Sequence, residues 1–254
     1  MTARTVLVLQ HIDVEKPGMI LEALHDCDVE IRNLLDAPSP SAIDLPPVSD
    51  LAGLVIMGGP MNVDDVAGYP ALKLEHDLVA DAIAAGVPTL GVCLGAQLVA
   101  RAQGLEVRTA GQLGLGPEIG WSPLRDVDER DPVVGPLAAA PGVLHWHGDR
   151  IVPGAETPVL ASTETTPCQA FRAGPAAWGL QFHLEVTPAL QDEWLADPSF
   201  DAEATHALGA GAADRLRADA RAIAPRLRPL AEQSLRHVRS LILDRADAGP
   251  RSAG

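Results

Sequence analysis

Two stretches of this 254-residue chain carry side chains suited to nucleophilic chemistry. In the first, Cys93 stands within Gly91-Val-Cys-Leu-Gly95, after an apolar run from Val87 to Val92 and before a helix-forming run from Ala96 to Ala102. A strand, a sharp turn bearing a nucleophile and then a helix make a nucleophile elbow. Such a turn is crowded, and glycine two residues to either side relieves it. A cysteine there lies at a helix N-terminus, whose dipole favours the thiolate. The second stretch is Gly179-Leu-Gln-Phe-His-Leu-Glu-Val-Thr-Pro188. Read as a strand, it turns Gln181, His183 and Glu185 to one side and Phe182, Leu184 and Val186 to the other. The carboxylate can hold one imidazole nitrogen as N–H and leave the other to accept a thiol proton. Taken singly, Cys93 reads as a buried structural cysteine, and His183 and Glu185 as incidental polar residues on a half-exposed strand. Together, with the glycine bracket, they read as a cysteine nucleophile with its base and orienting carboxylate.

The elements that must position these groups follow from apolar patterning. Strands are expected at Thr5–Leu9, Val29–Leu34, Leu51–Met57 and Val87–Val92, with helices at Met19–Leu24, Pro70–Ala85 and 96–102. Residues 37–50 read as loop. Near-continuous apolar strands alternating with helices indicate an α/β fold, an open and mostly parallel sheet covered by helices on both faces. Ligands then belong at the carboxyl ends of the strands, where Gly58-Gly59 and Cys93 share a crevice. The second half reads as more antiparallel, with extended segments at 121–127 and 143–151 and short strands at 159–162, 169–172 and 177–182. Beyond Pro188 the pattern is helical, at 190–195, 202–208 and 213–244, ending in a frayed tail from Asp247. The expected organisation is an α/β domain over residues 1–190 and a C-terminal helical extension and tail over 191–254.

The formal net charge of −15 argues against a nucleic-acid partner, whose phosphates need cations. No stretch approaches the length of an apolar membrane span, and residues 1–10 lack the features of a signal peptide. The three cysteines, Cys27, Cys93 and Cys168, are widely spaced and form no Cys-x-x-Cys pair, which fits a reducing, cytoplasmic location. His145 and His147 lie two apart, but no carboxylate or cysteine stands near them at ligand spacing, so no metal site is expected. Asp64 and Asp65 read as a solvated turn, and the glycines of residues 110–120 match no phosphate-binding fingerprint.

Gly91 to Gln97 together with Gln181 to Thr187 resembles the class I glutamine amidotransferases, most of all the glutaminase domain of GMP synthetase and its free-standing relatives. Met57-Gly-Gly-Pro60 and His145-Trp-His-Gly-Asp149 fit the same pattern. The motifs stand in the family's order, and the resemblance covers roughly residues 5–190. It implies a flavodoxin-like glutaminase fold with Cys93 as nucleophile, His183 as base and then acid, and Glu185 as orienting carboxylate. It further implies an oxyanion hole from the backbone N–H groups of Gly59 and Leu94, with Gln97 and the segment Trp146, His147, Gly148 and Asp149 lining the glutamine site. Leu184 stands where many relatives carry proline; the spacing is kept, so this departure concerns the subfamily.

These groups would attack the side-chain amide of glutamine, form a γ-glutamyl thioester and release ammonia, with no metal or organic cofactor. Residues 188–254 read as helix and hold no ATP-consuming partner domain, so an ammonia acceptor would be a separate synthase subunit. Two other readings stand beside this one. The same triad could hydrolyse γ-glutamyl peptides or amides, or the scaffold could be a catalytically silent binding protein.

Overall fold

The computed structural model describes residues 4–36 and 43–248. Its centre is a seven-stranded sheet. Strands β1 (Thr5–Gln10), β2 (Val29–Asn33), β3 (Leu51–Ile56), β4 (Thr89–Val92) and β11 (Ala177–Leu180) run parallel in the order β2-β1-β3-β4-β11. Antiparallel β10 (Ala170–Arg172) and β9 (Val159–Ala161) complete the edge beyond β11. Two short antiparallel pairs lie outside it. β5 (Glu106–Arg108) pairs with β8 (Arg150–Val152), and β6 (Glu118–Ser122) with β7 (Val143–His147). The segment expected to be extended over 143–151 is thus two strands broken at Gly148-Asp149. The extension expected over 121–127 falls mostly earlier, in β6.

Alternation along the strands feeds two separate cores. Val6, Val8, Met57, Leu90 and Val92 face one side, where α1 (Gly18–Ala23) and the long α7 (Ala212–Asp247) pack. Leu7, Leu9, Leu54 and Ile56 face the other, beneath α2 (Ala71–Ala84) and α3 (Leu94–Ala102). Both faces of a parallel sheet must be covered because its strands are apolar on both sides. On the α7 side, Leu227, Ala231, Leu235, Val238 and Ile242 supply that cover at helical spacing. Proline at 225 and 229 interrupts the backbone ladder inside this helix.

Helices α5 (Pro188–Ala196) and α6 (Pro198–Leu208) start at side-chain caps, Thr187 onto the Leu190 N–H and Asp197 onto the Ser199 N–H, each followed by proline at the first helical position. A third cluster, of Leu144, Trp146, Val186, Trp194 and Phe200, joins these helices to β7. The helices after residue 190 therefore share apolar cores with the sheet. The expected loop at 37–50 is described only from residue 43. Of the expected tail, residues 249–254 lie outside the described residues, and Asp247 is the last residue of α7. Among the described residues, no helix is long and apolar enough to cross a membrane.

Candidate active site

Cys93 sits between β4 and α3 with φ 52° and ψ −107°. That region is unfavourable for a side chain with a Cβ, and its appearance at a sharp strand-to-helix turn marks the elbow. Close packing holds the turn. A Cβ at Gly91 would lie 2.3 Å from the Gly95 carbonyl oxygen, and one at Gly95 would lie 2.1 Å from that of Ile56. The Gly95 N–H donates to the Met57 carbonyl at 3.2 Å, which ties the elbow to the end of β3.

The parallel ladder between β4 and β11 ends at Val92 and Leu180, and the Cys93 N–H closes it by donating to Leu180 O at 2.8 Å. Beyond Leu180 the neighbouring strand on the β4 side has turned into the elbow, and pairing on the β10 side continues only as far as the Gln181 N–H, which donates to Gln169 O at 2.8 Å. The strand expected to run on to Phe182 stops there. His183 instead donates its N–H to Leu144 O on β7 at 2.8 Å. The alternation nevertheless survives: Phe182 and Leu184 enter the apolar core, and Gln181 turns to Cys93, its Nε2 3.8 Å from the sulfur.

His183 Nδ1 and Glu185 Oε1 are 2.8 Å apart, and both side chains are buried. Cys93 and His183 lie close enough to shift one another, His183 pulling the thiol down and Cys93 raising the imidazole. Burial works against the imidazolium of His183. The charge of Glu185 and the bonds to Cys93 and Glu185 outweigh it and hold the pKa well above the usual histidine value. Burial pushes the Cys93 thiol up, against the opposing pull of His183. The helix-terminal stabilisation expected for a free thiolate is thus overridden. A thiolate here is favourable only when paired with the imidazolium.

The other residues singled out by sequence fall at various distances from the sulfur. Gly59 lies against Leu94, the residue after Cys93: a Cβ on it would come within 3.0 Å of the Leu94 side chain. The Leu94 backbone N–H helps to lower the Cys93 thiol pKa, against burial. Gln97 is buried one helical turn on, its Nε2 3.4 Å from Gln181 Oε1. Trp146 presents its carbonyl to Cys93 Sγ at 3.8 Å, while its indole donates to Glu203 at 2.9 Å and packs against Trp194. His147 turns away from the sulfur toward Glu118, on β6. The Gly148 carbonyl accepts from Arg150 at 2.7 Å, and Asp149 accepts from Asn62 at 2.8 Å.

Four residues near Cys93 and His183 escape the sequence reading. Glu15 follows β1, and its carboxylate packs on Gly58 beside His183: a Cβ on Gly58 would meet Glu15 Oε2 at 1.8 Å and His183 Cε1 at 3.3 Å. Burial pushes the Glu15 carboxyl up to about 7, against the pull of His183 and His11. His11 donates from Nδ1 to Gly58 O at 2.8 Å, and its Nε2 lies 2.8 Å from Glu75 Oε2 on α2. Burial opposes its charge, but Glu75 outweighs burial and raises its pKa. The trans Gly58–Gly59 peptide, with its carbonyl fixed on His11, directs the Gly59 N–H the opposite way. Trp194 from α5 meets the His183 ring edge-to-face, with centroids 4.9 Å apart. One signal was available: Glu75 is a carboxylate on the apolar stripe of α2, among Leu72, Leu78, Val79 and Ala82.

A sequence model of glutamine amidotransferase class-I matches residues 16–201, which include every residue of this cluster except His11, Glu15 and Glu203. The chain belongs to the class-I glutamine amidotransferases. Among curated relatives of this chain, the Salmonella typhimurium glutamine amidotransferase-like protein YfeJ is 32% identical over 151 residues, 56% of this chain and 61% of YfeJ. A Sulfolobus acidocaldarius protein named as one of the subunits of a glutamine-hydrolysing GMP synthase is 39% identical over 143 residues, 55% of this chain and 70% of that protein. Against the full-length GMP synthase of Acinetobacter baylyi the match spans only 23% of the relative. In fold, the chain is similar to a solved glutamine amidotransferase from Thermotoga maritima, with TM-score 0.72 and 24% identity, covering 97% of this chain and all of that one. A Methylobacillus flagellatus glutamine amidotransferase matches with TM-score 0.70 and 24% identity, covering 100% of this chain and 98% of that one.

Proposed function

We propose that this protein hydrolyses the side-chain amide of glutamine through a Cys93 thioester. The observation that carries the reading is a cysteine on a positive-φ elbow, electrostatically coupled to a buried histidine that a buried carboxylate holds at 2.8 Å. Cys93 sulfur attacks the amide carbon as its proton passes to His183. The oxyanion meets the N–H groups of Gly59 and Leu94, whose orientation the His11 bond and the elbow fix in advance. His183 gives its proton to the departing nitrogen, ammonia leaves, and a γ-glutamyl thioester remains. His183 then takes a proton from water as the water attacks the thioester. Glutamate departs and the thiol is restored. Glu185 keeps the His183 Nδ1 proton in place throughout. Gln97, through Gln181, and the 146–149 segment shape the substrate side of the sulfur.

Ammonia made in this way would pass to an acceptor on a separate synthase subunit, a role that the name of the Sulfolobus relative supports. A second reading, hydrolysis of γ-glutamyl amides or peptides by the same groups, draws support from Glu15, beside His183, and Glu203, near enough to Glu15 to help raise its pKa. Above pH 7, where the Glu15 carboxyl is ionised, the pair suits a leaving amine that carries positive charge.

The test is glutamate release from glutamine and from γ-glutamyl amines. Wild-type protein releases glutamate and ammonia from glutamine. Cys93→Ala folds and releases none, and Glu185→Gln turns over more slowly than wild type but faster than Cys93→Ala. Turnover in Cys93→Ala at the wild-type rate rules the mechanism out. Release from a γ-glutamyl amine with none from glutamine transfers the assignment to the second reading.

A further inference from the structure

Away from the sulfur, the hairpin of β6 and β7 gathers a second group of ligating side chains. Glu118 comes from β6, and His145 and His147 come from alternate positions of β7, so both imidazoles leave the same face of the strand. One donor atom from each of the three lies within 4.8 Å of the other two. The carboxylate missing from the sequence pattern is supplied by the paired strand, through the register Glu118 opposite His147.

The hydrogen bonds around this group are arranged as they are around a bound cation. His147 Nδ1 faces the Asp149 carbonyl at 3.2 Å and His145 Nε2 faces the Ser122 carbonyl at 3.3 Å. A carbonyl only accepts, so each of these nitrogens carries the proton, and the other nitrogen of each ring presents a lone pair. For His147 that lone pair is 3.4 Å from Glu118 Oε2, which also presents only lone pairs. For His145 it is Nδ1, buried and without a hydrogen-bond partner. A backbone carbonyl on the far nitrogen is the usual support of a metal-ligating histidine. The 3.4 Å separation is close to the edge of about 3.3 Å between ligands set at zinc bond lengths in a tetrahedron. Gln169 completes the shell. Its amide nitrogen lies 3.0 Å from Glu118 and 3.2 Å from His147, and its Oε1 is buried without a partner. Half a turn of that amide presents an oxygen to the centre of the group.

We propose that Glu118, His145 and His147 hold one divalent transition-metal ion of the zinc class, with the Gln169 amide oxygen as a fourth ligand. Two imidazoles and a carboxylate suit zinc better than magnesium or calcium, which prefer all-oxygen sets. The ion joins β6, β7 and the start of β10. It lies one residue from Trp146, whose carbonyl faces Cys93, so it is a clamp on the wall of the active site and takes no part in the bond-breaking steps.

The test uses the whole chain carrying Cys93→Ala, because a thiol beside an imidazole would itself take zinc. It therefore reads independently of whether the protein hydrolyses glutamine. After treatment with a chelator and its removal, zinc is titrated by calorimetry and cobalt by visible absorption. The expected result is one ion per chain, bound at micromolar affinity or tighter, with a cobalt spectrum of low-coordinate form and a thermal midpoint that rises with added zinc. Glu118→Gln and His145→Ala, each checked for folding by circular dichroism without metal, weaken zinc binding by about tenfold or more. Absence of zinc binding in the parent protein overturns the proposal. So does binding that both folded variants retain unchanged, which would leave the three residues as a hydrogen-bonded network only.

Discussion

Glu15, packed on Gly58 beside His183, has a carboxyl that departs far from its ordinary behaviour. The unfolded chain releases its proton near 4.5, and the folded chain holds it to about 7. Over that window the folded state binds more protons, so stability falls as pH rises, and the loss is complete above 7. Glu15→Gln removes the dependence. Denaturant melts at pH 5 and pH 8 should show the variant gaining on wild type between the two by up to about 3 kcal/mol. A difference that stays flat, or runs the other way, would mean that the carboxyl is already ionised at pH 5. At this scale the sequence pointed to Cys93, His183 and Glu185, which the fold brings together, because glycine spacing and the Gln-x-His-x-Glu alternation are local. It showed nothing of Glu15 or Glu118, because what gives each its meaning comes from another strand. Glu118 sits in a glycine-rich stretch with no local sign of the histidines that lie opposite it in the β6–β7 pair.

Among elements, the meeting of β1, α2 and the end of β3 decides where the Gly59 N–H, the proposed oxyanion donor, points. His11 and Glu75 form a buried pair whose free side holds the Gly58 carbonyl. His11→Ala leaves Glu75 buried and unpaired, at a cost of about 3–5 kcal/mol in unfolding free energy. Replacing both by leucine should recover most of that stability. It should not recover turnover, which we expect to stay about tenfold or more below wild type, in kcat rather than KM. Full recovery of kcat in the double variant would show that the pair supports the fold and not the peptide. Strand and helix positions were largely readable from apolar runs, because a sheet buried on both faces must be written in them. The ends were less so. The predicted strand beyond Leu180 failed because its partner strand had turned away into the elbow, a fact of pairing that no single segment contains.

On the scale of the whole molecule, α7 is a wall of the main core. Ile242 reaches to Gly53 in the middle of β3, where a Cβ would lie 2.7 Å from its side chain. Ile242→Ala should therefore cost about 2–5 kcal/mol, and the chain should still melt in a single transition seen alike by far-ultraviolet circular dichroism and tryptophan fluorescence. A variant that loses its α7 helix at one temperature and its sheet at a higher one would show instead that these helices form a unit apart. The alternating Arg, Leu and Ala of this region do disclose an amphipathic helix. What its apolar stripe covers was not legible, since an exposed sheet face and a partner's surface ask for the same pattern.

The backbone angle at Cys93 is one that glycine would occupy without strain and cysteine does not. Folding alone gives no reason to keep a sulfur there. In a lineage released from catalysis, the first drift at this turn would be downhill, toward the residue with no side chain. The thiol thus carries a backbone cost that the scaffold does not offset, and only the proposed hydrolysis gives it a return.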